Sequence, residues 1–82
     1  MRMLDVGTEA SVRNLQMYLT LAEAVTLSKH LARLMKDPEA HRHAHVVADD
    51  GQRELSLSLV TQKKLQDLSG YTLVEQHLLQ ED

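Results

Sequence analysis

The sequence predicts an α+β fold: a two-layer sandwich with a three-stranded sheet, antiparallel or mixed, and helices on one face. Three observations carry this reading. Apolar residues alternate in Val12–Leu19 and in two runs flanking Asp50-Gly51. Between Leu21 and Lys36 they recur at helical spacing instead. Two Thr-x-x-Glu sequences, at Thr20 and Thr72, mark helix starts. The element order is β-α-β-β-α-α in one domain of 82 residues, since cores this small do not divide.

Residues 1–11 show no period and are expected to be partly loose. In "VRNLQMYL", Leu15, Met17 and Leu19 take one face while Asn14, Gln16 and Tyr18 take the other, as in a half-buried strand. Thr20 and Glu23 then form a capping box, each side chain satisfying one free backbone donor. The helix they open runs from Leu21 to Lys36, where Pro38 prevents continuation. Its predicted buried stripe is Leu21, Ala24, Val25, Ser28, Leu31, Ala32 and Met35, widened by Leu27 and Leu34. His30 falls at the edge of the wet side.

The hairpin follows. Asp50-Gly51 suits the centre of a two-residue type I′ turn. That turn sets Val46 opposite Leu55, Ala44 opposite Leu57 and Arg42 opposite Leu59, all facing the core. His41, His43 and His45 then form an outward row opposite Val60, Ser58 and Ser56. The most apolar strand, Arg53–Val60, is placed in the centre and the histidine strand at an edge. Thr61 caps a short helix, "QKKLQDLSG", which Gly70 ends. Thr72 with Glu75 opens the last helix, Leu73 to Gln80, with Leu73, Val74, His77 and Leu78 on one stripe and Leu79 beside it.

Composition narrows the function classes. Fifteen leucines and four methionines, with no Phe or Trp and only two tyrosines, make a thin core and favour a partner that buries more surface. The absence of cysteine excludes disulfides, thiolate metal sites and thiol nucleophiles, and fits a cytoplasmic location. No apolar run resembles a signal peptide or a membrane span, so no membrane partner is expected. A net charge of −3 with mixed signs argues against broad nucleic-acid binding.

The one chemical hint is His41-Arg-His-Ala-His45. On a strand, alternate histidines lie about 6.5 Å apart on one side, and two can share an ion. His43 and His45 are therefore candidate ligands for zinc or another divalent transition metal. A third ligand would come from Glu39, Asp49, Glu54 or His77, none placed by a motif. Ser56 or Ser58 beside a histidine suggests a nucleophilic dyad, but the sequence places no acid to orient the imidazole. The favoured expectation is a non-enzymatic protein-interaction module of the adaptor, inhibitor or accessory-subunit type, with no cofactor. Its partner is another protein, a second copy included, met through the open sheet face, the edge strand or the C-terminal helix. The face residues are Tyr18, His41, His43, His45, Ser56 and Ser58, and the helix contributes Leu73, Leu78 and Leu79. In such a contact, mild acid would charge the histidines and weaken it. Metal binding by the histidine strand is the alternative, and nucleic-acid stacking on Tyr18 a second one.

Overall fold

Thr20 opens the longest helix, α1 (Leu21–Met35), with both halves of the capping box formed. Its Oγ1 accepts the Glu23 amide at 3.1 Å, and Glu23 Oε1 accepts the Thr20 amide at 2.9 Å. The computed structural model describes residues 1–81 of the chain. They form an α+β fold with two two-stranded antiparallel sheets and three helices. The first sheet joins β1 (Leu4–Asp5) to β2 (Ala10–Ser11), and the second joins β3 (Ala44–Val47) to β4 (Glu54–Leu57). Two short helices follow, α2 (Gln62–Leu65) and α3 (Leu73–Gln80).

The three-stranded sheet does not form. Residues 14–19 run without a ladder partner, and Leu15, Met17, Tyr18 and Leu19 are exposed. The alternation specifies which side chains share a face but not that a neighbouring strand lies within reach. Both ends of the segment are held elsewhere. Val12 donates to the Met3 carbonyl at 2.9 Å, which extends the β1–β2 hairpin. At the other end Thr20 Oγ1 donates to Asp49 at 2.7 Å, beside the β3–β4 turn. The β1–β2 hairpin itself turns on Asp5, whose Oδ1 accepts the amides of Gly7 and Thr8. No hydrophobic period announces it, because it is held by side-chain-to-backbone bonds.

The β3–β4 register is the predicted one: Ala44 opposite Leu57, His45 opposite Ser56, Val46 opposite Leu55 and Val47 opposite Glu54. The turn differs. Gly51 donates to Ala48 and Ala48 donates to Arg53, each at 2.8 Å, so four residues from Asp49 to Gln52 make the loop. Gly51 alone of the Asp50-Gly51 pair has positive φ, at 72°, whereas a type I′ turn requires it at both. Asp50 accepts the Gln52 amide at 2.9 Å and the Arg53 guanidinium at 3.0 Å, and these bonds favour the longer loop. The four-residue loop preserves the pairing because it is two residues longer, one from each strand.

Helix α1 packs against β3 through only part of the predicted stripe, its Ala24, Leu27 and Leu34 edge. Leu34 is buried, and Glu23, Ala24, Leu27 and His30 are half-buried, so the packed line runs 23–27–30–34. Leu21, Val25, Leu31 and Met35 from the predicted stripe stay exposed. The helix is turned this way because Glu23 is committed to the hairpin loop: its Oε2 accepts the Asp49 amide at 2.8 Å. Helix α2 is shorter than predicted; it ends at the Gln66 cap, and Gly70 lies in the separate turn closed by Tyr71 N–H to Leu68 C=O at 3.0 Å. Helix α3 matches its prediction, capping box included. It lies against the N-terminal hairpin through Arg2, which donates to the carbonyls of Leu78 and Glu81, and through Ser11, which donates to the Glu81 carboxylate.

The resulting core is small. Among the described residues the buried hydrophobic side chains are Leu34, Ala44 and Val46. The accessible surface is 6601 Å², whereas a folded monomer of 9.3 kDa exposes about 5,000 Å². The radius of gyration is 13.6 Å, against about 12 Å for a typical domain of 82 residues. The molecule is flat, 36 × 31 × 19 Å, and leaves about 1,600 Å² more surface in water than its mass requires.

Candidate interaction surface

The open surface includes a groove. Residues Leu15–Thr20 form one wall, and α1 with the β3–β4 hairpin forms the other, around a volume of about 910 Å³. Leu15, Met17 and Leu19 line it together with Leu27, Val46 and Leu55, and Asp49, Asp50, Arg53 and Glu54 add charged lining. The wall beside Thr20 is rigidly tied. Glu23 accepts backbone amides from Thr20 and from Asp49, and these two bonds hold its carboxyl below its ordinary value. Thr20, Glu23 and Asp49 thus lock the start of α1 to the hairpin loop and fix the mouth of the groove.

One edge of the β3–β4 sheet carries backbone groups without a ladder partner among the described residues. Since Ala48 bonds Arg53, the same alternation makes Val46/Leu55 and Ala44/Leu57 the bonded pairs of the ladder. The N–H and C=O groups of Glu54 and Ser56 therefore point away from β3. No strand covers that edge among the described residues. Exposed backbone donors and acceptors of this kind are a template for another strand.

The sequence-predicted residues divide into three groups. Tyr18 lines the groove and is 87% exposed, so it is available for contact but not part of a sheet face. His45 and Ser56 pair on the outer face as predicted, whereas the predicted row of three histidines does not exist. Strand β3 begins at Ala44, which leaves His43 in exposed loop. His41 turns instead to Tyr71, edge to face with ring centres 5.9 Å apart, and approaches Gly70. Burial, then the nearby Glu75 carboxylate, raises the Tyr71 phenol above its ordinary value. Ser58 lies beyond the ladder. Leu73 is 76% exposed at the start of α3, while Leu78 and Leu79 are half-buried.

The candidate chemistry also changes. Glu54 Oε1 lies 2.6 Å from His45 Nδ1, and Ser56 Oγ lies 2.9 Å from the same nitrogen. The structure thus supplies the acid that the sequence did not place. Yet a relay needs the acid on one ring nitrogen and the nucleophile on the other. Here both approach Nδ1, so His45 has no path for carrying a proton between them. The two side chains are also about half exposed, so water competes for the contact. Of the proposed third metal ligands, Glu39 accepts from Thr61 at 2.8 Å and Asp49 from Thr20 at 2.7 Å; Glu54 alone reaches a candidate histidine. Among the described residues no three His, Asp or Glu side chains converge where they could hold an ion.

Lys64 is the residue the sequence concealed. It is 5% exposed, and its Nζ donates to the carbonyls of Ala40 and Leu59, each at 2.8 Å. It ties the loop after α1 to the segment that follows β4. In "QKKL" nothing distinguishes it from Lys63, because the distinction lies in distant carbonyls. No helix among the described residues is long and apolar enough to cross a membrane. Comparison with protein-family models, curated proteins and solved structures finds no match to this chain.

Proposed function

We propose that this chain is a protein-interaction module, of adaptor, inhibitor or accessory-subunit type, acting through the groove between residues 15–19 and the β3–β4 hairpin. The observation that supports it most is the surplus of about 1,600 Å² of exposed surface over that of a folded monomer of equal mass. A standard protein interface takes about 800 Å² from each partner, so one contact would account for half of this surplus and an extensive one for all of it. The groove is the natural centre of such a contact. It pairs an apolar floor with a charged rim, as interface cores and rims do. The absence of cysteine makes a reducing cytoplasm a suitable setting.

The test is capture of binding proteins from native extract on immobilised wild-type chain and on the double variant Leu15→Gln, Met17→Gln. Both side chains are about half exposed, so the variant is expected to fold like the wild type by circular dichroism. A protein retained by the wild type and lost with the variant supports the reading. Equal retention on both removes the groove as the binding site.

A further inference from the structure

We infer that the partner in the groove is a second copy of this chain, which supplies residues 14–19 as a third strand along the free edge of β4. The inference rests on the interaction reading and specifies its partner. The chain carries both halves of the missing contact. Residues 14–19 have the alternation of a strand and no ladder. Strand β4 has outward-pointing backbone groups at Glu54 and Ser56 and no neighbour on that side. In cis residues 15–19 line the groove together with Glu54 and Leu55 but form no ladder with them, and the segment is held at its ends by the bonds of Val12 to Met3 and of Thr20 to Asp49. In trans neither anchor opposes pairing, and a twofold axis lets each copy give its segment and receive the other's.

Dimensions and pattern agree. Six extended residues span about 20 Å, enough to cover the four residues of β4 with one to spare at each end. Side chains directly opposite in neighbouring strands share a face, so Leu15, Met17 and Leu19 would join Leu55 and Leu57 over the core. Asn14, Gln16 and Tyr18 would join Glu54 and Ser56 outside, next to His45. The opposite register would set leucines against Glu54 and Ser56 in water, which fixes the choice. Obligate homodimers bury about 1,000 Å² or more per chain, and the surplus here is about 1,600 Å² per chain.

The test is molar mass by light scattering from dilute solution up to about 1 mM, together with amide hydrogen exchange at Ser56 and over residues 14–19. The wild type is expected to reach twice 9.3 kDa and to slow exchange at Ser56 and in the segment as it does so. Leu15→Gln with Met17→Gln, and separately Gln16→Pro, are expected to stay at 9.3 kDa with the dilute exchange pattern. Proline removes a strand's amide and so blocks the ladder by another route. A wild type of 9.3 kDa at every concentration overturns the second copy. A dimer in which Ser56 still exchanges at the dilute rate, or which either variant leaves intact, overturns the strand exchange. Loss of a captured protein from the groove variant, with a monomeric wild type, would leave the broader interaction reading standing and this inference alone rejected.

Discussion

At Thr20, Glu23 and Lys64, single side chains do the work that a large core does in bigger domains. Thr20 caps α1 and reaches Asp49; Glu23 closes the same box and holds the hairpin loop. Thr20→Ala should lower the unfolding free energy by about 1 kcal/mol in urea titrations, the usual cost of a lost N-cap. Glu23 adds a pH dependence whose sign is fixed. Its carboxyl ionises more readily folded than unfolded, because the Thr20 and then the Asp49 amides donate to it. Its contribution is therefore fully present above the unfolded value of 4.5 and is lost as pH falls through the lower folded value. Melting temperatures of wild type and Glu23→Gln should differ at pH 7 and converge as the pH falls from 4.5 through the lower folded value. Lys64→Ala should cost about 2 kcal/mol, since it strands the Ala40 and Leu59 carbonyls that Lys64 now satisfies. A change within experimental scatter would mean that water replaces Nζ there.

At the scale of elements, the legible parts were those whose signal is local. The capping boxes gave the starts of α1 and α3 to the residue, because Thr and Glu three apart act on neighbouring backbone. The β3–β4 register was legible too, since apolar residues in two facing strands must share a side. What was not legible depends on distant partners. The alternation of Val12–Leu19 announced a strand without naming an edge for it. The apolar stripe of α1 was real as a pattern, but Glu23 turns the helix so that Leu34 and Leu27 face β3. The histidine row failed because the strand begins only at Ala44, leaving His41 to Tyr71. The turn at Gly51 is a further check on the observed geometry. Gly51 sits at φ 72° with nothing within 4 Å of an added Cβ, so a side chain there meets backbone strain alone. Gly51→Ala should lose about 1 kcal/mol in urea unfolding, and Gly51→Asn less, since Asn tolerates this region better.

For the molecule as a whole, the central fact is an open surface. Among the described residues three hydrophobic side chains are buried, and the outline is flat. Leu21, Val25 and Met35 on α1 and Leu73 on α3 add exposed apolar area outside the groove. The surplus area, the free edge of β4 and the unladdered residues 14–19 are the three observations behind the proposal that a second copy completes the sheet. Amide hydrogen exchange at Ser56 and residues 14–19, followed from dilute to concentrated protein, tests this most directly. The account predicts that these amides become protected together as the mass doubles; exchange that stays fast in a doubled or an unchanged species would contradict it.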